Sequence, residues 1–156
     1  PTTTSVMYLF ILTSLLQMQR SFQRGFGMRA GIRHSEYANN HVRMLTLAAD
    51  YYWRNYYTGW TVYLGKLEGA DPTVANQWRV DRYYGDRNRV GFLLAAGKET
   101  ESAGNGIFIT GDTFSAAMTG LHWVGPAWGL SWDLVFHEQG DAYRRGGFRV
   151  GLRRQF

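Results

Sequence analysis

The last ten residues restrict this chain more than any other stretch. Even positions carry Phe148, Val150, Leu152, Arg154 and Phe156, while odd positions carry Gly147, Arg149, Gly151, Arg153 and Gln155. A β-strand turns successive side chains to opposite faces. One face here is mostly greasy and the other is small or charged. A greasy face outward and a polar face inward is the pattern of a strand in a membrane β-barrel.

The same alternation recurs upstream. It predicts strands over about 25–35, 41–53, 58–67, 76–84, 88–98, 112–124, 128–136 and 143–156. In the first, Phe26, Met28, Ala30 and Ile32 oppose Gly27, Arg29, Gly31 and Arg33. In the seventh, Trp128, Leu130, Trp132, Leu134 and Phe136 oppose Gly129, Ser131, Asp133 and Val135. The sixth is the least regular, and Ala117, Leu121 and Trp123 make its better apolar face. Each stretch is close to the about 9–11 residues that a tilted spanning strand needs. The expected fold is all-β: an antiparallel up-and-down transmembrane barrel of about eight strands, an even count as single-chain bacterial barrels have.

Composition agrees with this reading. The 156 residues suit one domain and include 19 Gly, 6 Trp, 10 Tyr and 9 Phe, a mixture suited to crowded inner faces and aromatic rims. A soluble β-barrel that binds a small ligand is the competing reading. With 0 Cys, disulfides and thiolate metal sites are excluded. The net charge is +5, and its basic residues are spread singly over many strands, so no nucleic-acid patch is expected.

Residues 1–24 form an apolar leader that breaks the alternation. Leu9, Leu12, Leu15, Leu16, Gln19 and Phe22 fall at mixed helical spacing, with Arg20 and Arg24 where a helix dipole favours them. A short helix at the interface or plugging the barrel foot is expected here, with an extra strand or a mistranslated leader as the alternatives. The run Met7 to Leu16 has the length of a signal-peptide core, but it lacks a preceding Lys or Arg and a cleavage pattern. It is too short for a spanning helix, which needs about 20 residues. Beginning at Pro1 without an initiator Met, the sequence is expected to be a fragment or a processed product.

With the C-terminus placed in the periplasm, inner turns fall near 54–59, 85–87 and 125–126. External loops then fall near 36–41, 68–75, 99–111 and 138–142, the longest of them outside, as outer-membrane barrels have it. Aromatics gather near the inner turns. Trp53, Trp60, Tyr84, Trp123, Trp128 and Phe156 are the expected membrane-interface ring, since amphipathic rings favour a boundary with one wet side.

Facing inward are Arg29, Arg33, Asp50, Arg79, Asp81, Asp133, Arg149 and Arg153. The interior of an eight-stranded barrel is just filled by side chains, so these charges are expected to pair and lock the strands. The surplus of Arg over Asp offers phosphate or acidic sugar a place to bind.

The run Arg79-Val80-Asp81-Arg82-Tyr83-Tyr84-Gly85-Asp86-Arg87-Asn88-Arg89-Val90-Gly91-Phe92 resembles the YaiO family of outer-membrane barrels. So do Gly120 to Leu130, as a short turn between late strands, and the ending Gly151 to Phe156. The resemblance extends over about residues 25–156 and leaves the leader out. It implies a bacterial outer-membrane location, with lipid and lipopolysaccharide as surroundings, and supplies no reaction, ligand or catalytic residues. The ending also resembles the signal read by the barrel-assembly machinery, a partner during insertion. Arg149, Gly151 and Phe156 match it, and Arg154 stands where a hydrophobic residue is usual.

No catalytic residue and no cofactor is expected. His34 and Ser35 are adjacent, so on a strand they point to opposite faces and cannot share a proton. His137-Glu138 is similar, and His41 and His122 stand alone in the sequence. No His-x-His or His-Glu-x-x-His spacing exists, so no metal site is expected. Beside the soluble ligand-binding barrel, two function classes follow. The first is a non-enzymatic envelope scaffold with a small-molecule or surface-polysaccharide ligand. The second is a lipid A-modifying acyl hydrolase with its site at the outer rim.

Overall fold

The computed structural model describes residues 12–37, 40–104 and 107–155. Among them nine strands form one sheet: β1 (Leu12–Ser21), β2 (Phe26–Tyr37), β3 (Asn40–Trp53), β4 (Tyr56–Leu67), β5 (Thr73–Tyr84), β6 (Asn88–Gly104), β7 (Ile107–Trp123), β8 (Trp128–Gln139) and β9 (Tyr143–Arg154). Each strand pairs antiparallel with the next, in chain order. The up-and-down architecture expected from the alternation is present.

The leader differs from its expected helix. Residues Leu12–Ser21 are a strand that pairs with β2 from Leu12↔Glu36 to Ser21↔Gly27. Only a 3-10 turn, Gln23–Gly25, separates the two. Arg24 at φ 67° and Gly25 at φ 81° reverse the chain there, and Phe22 N–H donates to the Phe26 carbonyl at 2.7 Å. Once the backbone can pair with a neighbour, a helical spacing of leucines no longer decides the conformation. Residues 1–11 lie outside the described residues.

The ninth strand alters closure. In a meander of nine strands, β1 and β9 run in the same direction. The antiparallel ladder that joins every other pair cannot join these two. Among the described residues they stand as the two edges of a curled, open sheet rather than closing the expected eight-stranded barrel.

Direct cross-strand partners share a face, so the register sorts every side chain. A hollow of about 390 Å³ is lined by Arg33, Met44, Tyr63, Ala95, Ser115 and His137, drawn from β2 to β8. The sheet therefore curls toward the face that carries these residues, here called the inner face. The outer face carries Ile32, Leu45 and Leu64 in one row, and Met118, Leu134 and Phe148 in another.

Burial runs opposite to a soluble domain. Among the described residues no hydrophobic side chain is buried, whereas Ser35, Thr61, Asp81 and Gln139 are. All four lie on the inner face. On the outer face Leu47 is 45% exposed, Trp60 55% and Phe148 70%. A surface this apolar requires an apolar solvent.

Two further differences have local causes. The expected loop 99–111 is mostly strand, because β6 and β7 are each 17 residues long and continue pairing to Gly104↔Ile107 across a bulge. A hairpin that rises beyond its neighbours has no oil on either face, so the alternation fades while the ladder continues. In β7 the apolar face is also reversed: Phe114, Ala116 and Met118 face outward, and Ala117, Leu121 and Trp123 inward. A strand rich in Ala, Gly and Thr has little contrast between its faces.

Candidate functional site

All eight predicted inward charges lie on the inner face by register. Asp81 is the most enclosed, its side chain only 1% exposed. Arg79 lies two residues before it on β5. Its Nε donates to Asp81 Oδ2 at 2.6 Å and its Nη2 to Oδ1 at 3.3 Å. Arg89 Nε reaches the same Oδ1 from β6 at 3.9 Å. Gly91 stands opposite Asp81 and leaves room for the carboxylate: a Cβ there would overlap Asp81 Oδ1 and lie 3.0 Å from Thr119 Oγ1. A buried carboxylate needs this company, since leaving one unpaired is costly.

A second island joins β8 to β9. Arg149 Nε and Nη2 donate to Asp133 Oδ2 at 2.8 Å and 2.7 Å, directly across the ladder. Asp50 packs over Gly27, where a Cβ would lie 2.6 Å from its Oδ2. Among the described residues Arg29, Arg33, Asp50 and Arg153 form no ion pair, although Arg33 Nη2 contacts Met44 Sδ at 3.6 Å. The expected lattice is thus two islands with unneutralised arginines between and around them. A hollow of about 750 Å³ is lined by Tyr83, Arg89, Ser131, Asp133, Arg149 and Arg153.

Arg89 was not among the expected charge partners, although alternation alone places it inward. Its link to Asp81 is diagonal and depends on the β5–β6 register. Its Nε is buried without a hydrogen-bond partner.

Of the expected interface aromatics, Trp53, Trp60, Tyr84 and Trp128 face outward, and Phe156 lies outside the described residues. Trp123 faces inward, opposite Gly129, with the Arg87 guanidinium 4.4 Å from its ring centre. Arg54 stands over Trp53 at 5.2 Å and Arg154 over Trp128 at 5.2 Å, at the same end of the sheet. Beside them is a cluster the sequence did not signal. Trp132 Nε1 donates to His122 Nε2 at 2.9 Å, and His122 Nδ1 bonds the Tyr84 hydroxyl. An indole N–H only donates, so His122 Nε2 is the acceptor and Nδ1 carries the proton. Gly120 leaves the space that the Trp132 ring fills.

The opposite rim holds two polar groups. On the inner face Ser115 Oγ lies 2.7 Å from His137 Nδ1, and His137 Nε2 lies 3.3 Å from the Tyr143 hydroxyl. On the outer face β2, β3 and β4 bring together His34, Glu36, His41, Arg43, Lys66 and Glu68 around a hollow of about 310 Å³.

A sequence profile described as the YaiO membrane beta barrel domain matches residues 15–102, more than half of the 156 residues. The chain belongs to the YaiO membrane β-barrel family. The match begins inside β1, so part of the leader that showed no resemblance belongs to the family's barrel domain. Among solved structures the fold is similar to the NanC porin in a rhombohedral crystal form, with TM-score 0.52, 6% identity, and 90% of this chain and 73% of that chain covered. A KdgM porin aligns with TM-score 0.39 at 11% identity, covering 92% of each chain. The same porin in complex with disordered oligogalacturonate aligns with TM-score 0.39 at 10% identity, again over 92% of each. No curated protein matches the sequence. At 6% identity the likeness to the NanC porin shows the fold alone. Family membership places the protein in the bacterial outer membrane, as a β-barrel that crosses by strands.

Proposed function

We propose that this YaiO-type barrel is a non-enzymatic envelope protein whose inner face holds an acidic polysaccharide. The observation that carries this reading is the uneven pairing on that face. Asp81 and Asp133 are each taken by arginine, while Arg29, Arg33 and Arg153 form no ion pair among the described residues. Arginine presents donors in a fork that fits a carboxylate. The hollow beside Tyr83, Arg89 and Arg153 supplies room for one or two acidic sugar units and a ring to lie against them.

The Ser115–His137–Tyr143 ladder also supports a non-enzymatic role. A catalytic Ser–His pair has a third group, usually a carboxylate, that orients the base. Here Tyr143 occupies the far nitrogen, and no carboxylate bonds His137 among the described residues.

The test is calorimetric titration of the folded protein with polygalacturonate and with neutral dextran. Binding of the acidic polymer alone is expected, weakening with salt and in Arg89→Gln/Arg153→Gln. Equal heats for both polymers, or no effect of the double substitution, refute the reading.

A further inference from the structure

We infer that the outer-face cluster on β2, β3 and β4 is a binding site for a divalent transition ion of the zinc class, with His34, Glu36 and His41 as ligands and Glu68 as the neighbouring carboxylate. This goes beyond the inner-face reading and does not depend on it.

Pairing assembles the site. Glu36 and His41 are direct partners across the β2–β3 ladder, and His34 lies two residues before Glu36 on the same face. Glu68 follows β4, where its N–H donates to the His41 carbonyl at 3.0 Å. One ligand atom each from His34, Glu36 and His41 lies within 4.8 Å of the others. A tetrahedral zinc site with bonds of about 2.0–2.1 Å has ligand atoms roughly 3.3 Å apart. Two contacts are already near that spacing: His34 Nε2 to Glu36 Oε1 at 3.1 Å, and His41 Nε2 to Glu68 Oε2 at 3.6 Å. The imidazoles stand parallel, their planes 8° apart and ring centres 6.0 Å apart, so both can approach one ion with small rotamer changes. His34 Nδ1 is buried without a partner, so this ring is not committed to a hydrogen bond through that nitrogen.

Charge in the same hollow decides which ions fit. Arg43 lies opposite both His34 and Lys66, in the row next to the apolar belt. The charges of Arg43 and Lys66 cancel those of Glu36 and Glu68. Hard ions such as calcium and magnesium rely on carboxylate charge, so they gain little here. The two imidazoles therefore determine selectivity, and imidazole favours zinc, copper and nickel.

The test is zinc titration of the full chain, folded in detergent, against a chromogenic chelator. Saturable uptake of one equivalent is expected, resistant to excess calcium or magnesium. His34→Gln and His41→Gln should abolish it, and His137→Gln should retain it, each variant first shown to be folded by heat-modifiable gel migration. No saturable uptake, unchanged uptake in both variants, or displacement by calcium each overturns the assignment.

Discussion

Asp81→Asn removes the one carboxylate charge that two strands share on the inner face. The Arg79 guanidinium is bonded to it at 2.6 Å, and Arg89 lies at 3.9 Å. Opposite charges about 4 Å apart attract by about 4 kcal/mol at an effective dielectric constant of about 20. Breaking a buried pair costs about 3–5 kcal/mol. Two effects reduce this. Arg79 and Arg89 are 39% and 35% exposed and can turn toward water, and asparagine keeps one acceptor. The expected loss is about 2–3 kcal/mol. Asp133→Asn is the control: its Arg149 is 80% exposed, so the loss should stay below about 1 kcal/mol. Urea unfolding in lipid vesicles, followed by tryptophan fluorescence, gives both numbers. Adding Arg89→Gln to Asp81→Asn should recover part of the loss, because a cation left without its carboxylate partner is removed. Equal losses for Asp81→Asn and Asp133→Asn would show that burial does not set the strength of these pairs, and the reasoning fails.

Leu134 and Val135 are neighbours with nearly equal exposure, 46% and 47%, on opposite faces of β8. Leu134→Arg should cost about 2–4 kcal/mol in the bilayer, and Val135→Arg close to nothing; equal penalties by the same unfolding assay would sink the assignment of faces. Ser115→Ala and His137→Gln should leave lipid A acylation unchanged by mass spectrometry of the producing cells. An acyl chain gained or lost would count against the non-enzymatic reading.

The terminal strand shows how much was legible in sequence. Phe148, Val150 and Leu152 alternate with Arg149, Gly151 and Arg153, and the structure places them on the outer and inner faces as that alternation predicts. The outward faces of β2, β3 and β8 were equally plain. All eight inward charges followed from the same parity. The face of β7 did not, because Ala116 and Ala117 differ too little for local contrast to decide.

A side chain's face is a property of its own strand, so the sequence by itself determined the all-β class, the membrane setting and the inward charges. What a side chain meets is set by the neighbouring strand's register, which no local pattern encodes. Tertiary structure alone decided that Leu12–Ser21 pairs as a strand, that β1 and β9 are the edges of the sheet among the described residues, and that Arg89 reaches Asp81. It also decided that His34 and His41, seven residues apart with no ligand spacing between them, stand face to face across a hairpin.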